Sequence, residues 1–287
     1  MTLRSYEWPL IAFFVYVAAL APFYSRPGRN MAVPFVMGAC AVLLILALAS
    51  INRRGFVIAR DWIAPPLVLL AYREMDWFTP ARLEHRLEHA WIVWDRMLLD
   101  DWAVRRVIEF AGWLPHAYLE FCYLLVYGIP AFTIAVMYVW RQRDLLDRVL
   151  FVYLLGTLLA YALFPFFPSE PPRTVFPGAD LPGMNSAFRR FNLFLVRGYG
   201  IHSSVFPSAH VSSAFSAAWA VLLFVPAHRK AGWAMLIYAV SVALATVYGR
   251  YHYAVDAVAG LGISLVALAM GVWMRREPRA TAPGTDR

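Results

Sequence analysis

The chain has 287 residues, 61% of them hydrophobic and only 15% charged, with a mean hydropathy of +0.56. Soluble domains carry about 25% charged residues, so a soluble globular domain is excluded and a polytopic membrane protein is expected. The formal charge of +8 is almost all Arg, since Lys230 is the single lysine, and the Arg residues gather at the ends of apolar runs. A nucleic-acid partner would call for a basic face instead.

A hydrocarbon core of about 30 Å is crossed by about 20 apolar residues of helix. The first candidate, Pro9–Tyr24, opens after Glu7 with no small-residue cleavage site, which favours a span over a secretory leader. Met31–Ile51 is the second. Trp62–Tyr72 is shorter and contains Pro65-Pro66, so it is either a short span or a re-entrant piece. Arg73–Gly112 follows, with Leu83, Leu87, Ala90, Trp91, Trp94, Leu98 and Trp102 at three- and four-residue spacing and Arg86, Glu88, Asp95 and Arg96 between them. That pattern predicts an amphipathic helix lying in the membrane interface, a structural lid in preference to a substrate-recognition element. Five long runs come next: Trp113–Trp140, Asp147–Phe167, Pro207–Val225, Ala231–Tyr248 and His252–Met274. Cys40 and Cys122 lie inside apolar runs and suggest packing, not a disulfide.

The expected fold is therefore all-α: a polytopic transmembrane helical bundle of seven or eight spans with an interfacial amphipathic helix. Residues 1–112 form N-terminal spans plus the amphipathic segment, 113–274 a catalytic bundle, and 275–287 a disordered cytoplasmic tail. Arg141, Arg143, Arg148, Arg229 and Lys230 flank short loops that parity puts on one side, as it does Arg275 and Arg276. Positive charge marks that side as cytoplasmic. The segment Arg73–Gly112, with six Arg against eight Asp and Glu, falls on the other side, as does the loop Ser169–Phe206. The expected location is the cell membrane, multi-pass, with the chemistry at the extracytoplasmic face.

Chemistry concentrates there. His252 and Asp256 are one helical turn apart, so the carboxylate can hold one ring nitrogen and leave the other free as a nucleophile. An Asp inside an apolar helix is costly and marks function by default, although a structural His–Asp pair would look the same. Pro207-Ser208-Ala209-His210 opens another apolar helix. There the first-turn amides and the Ser208 hydroxyl form an anion cradle, and His210 can protonate a leaving oxygen. The bland alternative is Ser208 as a helix cap beside a stray histidine. Ser212, Ser213 and Ser216 suit close helix packing. Arg173, after Pro171-Pro172, offers a planar fork for phosphate oxygens, and Arg250 is a second clamp candidate. Arg189, Arg190 and Arg197 are expected to be solvated or lipid-facing. Ligand types alone would also allow zinc on His210, His252 and Asp256. The Ser and Arg residues favour an anion instead, and no metal or cofactor is expected.

These motifs resemble those of the type-2 phosphatidic acid phosphatase superfamily. Pro207-Ser208-Ala209-His210 is similar to its second motif and His252…Asp256 to the end of its third. The resemblance implies His252 as nucleophile, Asp256 as its orienting partner, and His210 as general acid. Two positions depart: Thr246 stands where the third motif carries Arg, and Phe166 where the first motif carries Lys. Ala-Thr-Val-Tyr before His-Tyr-x-x-Asp, with Phe-Pro-x-x-Pro-Pro upstream, is instead similar to the inositol phosphorylceramide synthase branch. That implies a phosphotransferase acting on a lipid phosphate or phospholipid, with a lipid phosphate or polyprenyl (pyro)phosphate phosphatase as the alternative. A non-catalytic lipid- or anion-binding or transport protein is the alternative of another class. It would be expected to show inverted repeats and mid-membrane charges, and the sequence shows neither.

Overall fold

A computed structural model describes residues 2–24, 30–51, 54–80, 83–178, 180–201 and 205–276. Most of the expected tail, 275–287, lies outside the described residues. Fourteen α-helices and no strand occur among those that are described.

The helices are α1 (Glu7–Leu20), α2 (Ala32–Ser50), α3 (Arg54–Trp62), α4 (Ala64–Glu74), α5 (Arg86–Arg96), α6 (Val104–Phe110) and α7 (Trp113–Leu125). They continue with α8 (Ile129–Val139), α9 (Leu146–Leu163), α10 (Pro172–Val175), α11 (Ala187–Tyr199), α12 (Ala209–Phe224), α13 (Arg229–Tyr248) and α14 (Ala254–Arg276). Six stretches are long and apolar enough to cross a membrane: Ala32–Ser50, Gly55–Phe78, Trp113–Val139, Arg143–Phe166, Pro226–Tyr248 and Ala254–Met274. Glu7–Phe23 and Ala209–Phe224 are apolar helices shorter than that length. The uncertain run Trp62–Tyr72 is the middle of Gly55–Phe78. Proline fits there because Pro65 and Pro66 sit in the first turn of α4, where no helical acceptor is lost.

The helix α12 is the centre of the bundle and packs on α9, α13 and α14. Its Ala and Ser side chains let neighbouring backbones approach, the contact that holds helices together where lipid removes any hydrophobic drive. The Ser212 hydroxyl donates to the Gly156 carbonyl of α9 at 2.8 Å, the packing role expected for it.

Opposite ends of the bundle carry different polar groups. At one end Asp61 accepts from Arg4, Tyr138 and Arg143, Arg60 pairs with Glu7, and Ser5 donates to Asp147 at 2.9 Å. Those bonds tie the start of α1 to α3, α8 and α9, and they keep the buried Asp61 and Glu7 compensated. The other end holds both histidine motifs together with α5, α6, α10 and α11.

The expected amphipathic helix is present as α5, a π-helical turn at Met97–Asp101, and α6. Its orientation differs from the usual soluble pattern. Glu88, Ile92, Asp95 and Leu99 face inward, whereas Trp94 is 53% and Phe110 92% exposed. Two carboxylates are thus buried beside apolar neighbours, while Arg86 and Arg96 are exposed together with the outward aromatics. On α11 Arg189 and Asn192 are likewise buried, while Phe194, Tyr199, Arg190 and Arg197 are exposed. Arg189 is thus neither solvated nor lipid-facing.

Candidate active site

The site is built on two helix N-termini and the turn between α13 and α14. Gly249 ends α13, its amide bonded to the Ala245 carbonyl at 2.8 Å. Arg250 follows in the left-handed region at φ +63, which reverses the chain. The amides of Tyr251 and His252 both donate to the Thr246 carbonyl, at 2.9 and 3.0 Å. Thr246 itself is fully buried and its hydroxyl donates to Ala243 within α13 at 2.8 Å. The position that carries Arg in the third motif therefore shapes the turn here and offers no phosphate contact.

His252 is held at Nδ1, which lies 2.9 Å from the Val205 carbonyl and 3.4 Å from Asp256 Oδ2. Facing a carbonyl, Nδ1 carries the proton and donates it, which leaves the Nε2 lone pair free. The expected one-to-one His252–Asp256 bond is thus shared with a carbonyl. Asp256 Oδ2 also accepts the Tyr253 amide at 2.8 Å, so the carboxylate fixes both ring and turn. Nε2 of His252 points at Nδ1 of His210, 3.2 Å away. Burial, with His210 and Arg173 close by, holds the His252 ring well below the ordinary histidine range, which favours the neutral ring.

The second helix reaches this point by backbone contact. The Ser208 amide donates to the Asp256 carbonyl at 2.9 Å, and the Ser208 hydroxyl caps α12 by accepting the Val211 amide at 3.3 Å. A Cβ on Gly260 would lie 2.4 Å from the Ser208 carbonyl, so only glycine allows α14 this close to the start of α12. Ser208 was expected to give amide and hydroxyl to an anion. The amide is engaged, whereas the hydroxyl only accepts and keeps its O–H to donate alongside the amides of Ala209 and His210.

Arg173 sits on the one-turn helix α10, its amide bonded to the Arg250 carbonyl at 3.2 Å and its guanidinium carbon 5.5 Å from the Tyr251 ring centroid. It belongs to the site. The Arg250 side chain is directed elsewhere: Nη1 donates to Asp95 Oδ2 at 2.5 Å, and the guanidinium is 1% exposed. This makes Arg250 an anchor of the turn in place of the expected phosphate clamp. Asp95 Oδ1 also accepts the Ala254 amide at 2.7 Å, so a residue of α5 caps α14.

Several residues of the site carry no motif. Glu120 of α7 accepts from Arg189 and from the Tyr251 hydroxyl, each at 2.7 Å. Tyr123 and Tyr127 flank His210, the first stacked at 5.0 Å and the second edge-on at 5.5 Å between ring centroids. Glu120 was open to detection, because a carboxylate within an apolar run marks function by default. Asp95 was not, since its partners lie 155 and 159 residues away. Among the described residues, no three His, Cys, Asp or Glu side chains are placed to hold a metal ion.

Comparison with known proteins bears on this geometry. A family model described as the PAP2 superfamily matches residues 89–270. The chain is 28% identical over 142 residues to a PA-phosphatase related-family protein of Dictyostelium discoideum, an alignment covering 47% of this chain and 25% of the relative. The chain thus spans about a quarter of that relative's length in the match. No solved structure matches.

Proposed function

Because the chain belongs to the PAP2 superfamily, we propose that it is an integral membrane lipid phosphotransferase or phosphoesterase working through a phosphohistidine on His252. The observation that carries this reading is the pair of facing ring nitrogens, His252 Nε2 and His210 Nδ1, 3.2 Å apart with His252 anchored at its other nitrogen. The gap is too small for a phosphoryl group, so the rings part as the phosphate enters. Nε2 then attacks phosphorus, the bond to the lipid oxygen breaks, and His210, charged beside the arriving anion, passes its proton to that oxygen. Water or an acceptor hydroxyl next attacks phosphorus, gives its proton to His210, and frees His252. Arg173 and the open amides at the start of α12 hold the equatorial oxygens, whose stabilisation supplies much of the rate.

Within the superfamily, the turn sequence supports the inositol phosphorylceramide synthase branch, in which an inositol-phosphate-type headgroup moves between lipids. Thr246, buried and bonded within its own helix, takes no part in phosphate binding. The second reading, a lipid phosphate or polyprenyl (pyro)phosphate phosphatase, shares the first chemical step and differs in what attacks the phosphohistidine. The deciding experiment is a panel of lipid phosphates and labelled phosphatidylinositol, with and without candidate acceptors, products identified by mass. A new phosphodiester supports the transferase. Water-derived products alone support the phosphatase. The Arg-flanked loops at the opposite end of the bundle support an extracytoplasmic location for the site.

Two substitutions probe the geometry. Arg173→Ala is expected to lower kcat/KM by about 100- to 1000-fold, and Arg173→Lys to recover little, because an ammonium cannot reproduce the planar fork. Recovery by lysine to near wild type would show a simple charge effect. Gly260→Ala is expected to drive α14 off the Ser208 carbonyl and misalign the two rings. Its kcat should fall by about 100-fold with helix content unchanged by circular dichroism. An unchanged kcat would mean that the close approach has no bearing on the chemistry.

A further inference from the structure

The turn that bears His252 also bears Tyr251, whose side chain meets Arg173 directly and His210 through Tyr123. Its hydroxyl donates to Glu120 Oε2 at 2.7 Å. Glu120 is fixed in turn by Arg189 Nη1 at 2.7 Å and by Asn192 Nδ2 at 2.8 Å, and Arg189 also reaches the Gly249 carbonyl at 3.2 Å. All of these groups are buried. The Tyr251 ring stacks on Tyr123 with centroids 3.9 Å apart and planes 13° from parallel. Tyr123 stacks in turn on His210, and the Arg173 guanidinium lies over the Tyr251 ring.

A ring has two rotatable side-chain bonds, and the hydroxyl contact with Glu120 stops both. Whatever rests on that ring is then stopped as well. We propose that Tyr251, held by Glu120, is the positioning residue that aligns His210 and Arg173 on the phosphate, through the Tyr251–Tyr123–His210 stack on one side and the cation–π contact on the other. It is not a catalytic residue, since it acts through its neighbours. The proposal rests on His210 as general acid and Arg173 as clamp, so its test must be able to fail separately from theirs.

A general acid matters most when the leaving group is a poor one. An alkyl alcohol needs the proton; p-nitrophenolate leaves without it. The purified full chain in lipid nanodiscs is assayed on short-chain phosphatidic acid and on p-nitrophenyl phosphate. Tyr251→Leu is expected to lower kcat about 100-fold on the lipid ester and about tenfold or less on the aryl ester, while KM rises for both as Arg173 loses its seat. Tyr251→Phe keeps the ring but releases it from Glu120, so it should show the same split between substrates at a smaller loss, about tenfold on the lipid ester. Tyr123→Leu cuts the stack at its other joint and must give the same split between substrates, which guards against misfolding of a single variant. Equal losses on both esters, or wild-type kinetics in both Leu variants beside an inactive His252→Ala, overturn the proposal while leaving the phosphohistidine intact. His252→Ala that turns over both esters overturns the phosphohistidine and this proposal with it.

Discussion

Alanine at His252 should lower turnover by about 10⁴- to 10⁶-fold, the scale seen when a covalent nucleophile is removed and only binding and charge stabilisation remain. The structure makes this substitution clean. His252 donates to the Val205 carbonyl and approaches Asp256, but the turn itself is held by backbone bonds to Thr246 and by the Tyr253 amide on Asp256. Loss of the ring leaves these in place, so the variant should fold with wild-type helix content. A second readout is independent of rate: rapid acid-free quenching of wild type with labelled substrate should trap a protein-bound, acid-labile phosphate that His252→Ala lacks. A variant that kept full turnover on its best lipid phosphate would end the assignment. One that lost turnover yet still trapped the label would move the nucleophile to His210.

The largest expected loss of stability is at Asp95, which is fully buried between Arg250 and the first amide of α14. Asp95→Ala leaves a buried guanidinium with no countercharge, which costs about 3–5 kcal/mol. It also uncaps α14, which adds about 1 kcal/mol. Asp95→Asn keeps the cap but loses the charge, so it should fall between wild type and alanine. The double variant Asp95→Ala/Arg250→Leu removes both charges and should regain most of the stability, since the penalty comes from the orphaned charge more than from the lost attraction. Denaturant titration in detergent micelles reads these differences. A loss below about 1 kcal/mol in Asp95→Ala would mean that the pair is hydrated and contributes as little as a surface ion pair.

Spans and the histidine pair were legible because each is written locally. Twenty apolar residues force a helix in lipid, and four residues bring Asp256 over His252 on any helix. Trp62–Tyr72 was ambiguous because it is short and contains Pro65-Pro66. In the fold those prolines open α4, and the pass extends over Gly55–Phe78 because Arg60 and Asp61 are paired with Glu7 and with Arg4 and Arg143. The misread residues are those whose role depends on a distant partner. Arg250 lies two residues from the nucleophile and looks like a clamp until Asp95 is placed beside it. Arg189 looks like surface charge until α11 is seen to pack on α7, with Glu120 beneath. Amphipathic periodicity locates α5 and α11 but is silent on which polar residues turn inward, and here Glu88, Asp95, Arg189 and Asn192 do.

The outward aromatics have a consequence for the kinetics expected of the proposed reaction. Trp94, Trp102 and Phe110 face outward while Asp95 grips the start of α14, so these aromatics and His252 share one frame. Aromatic side chains settle at the headgroup level of a bilayer, which fixes the depth of His252 relative to the lipid phosphates. A lipid substrate then arrives by lateral diffusion within a sheet, and the quantity that saturates the enzyme is its mole fraction in that sheet. Adding inert lipid at constant bulk substrate dilutes the surface and slows the reaction, although nothing in solution has changed.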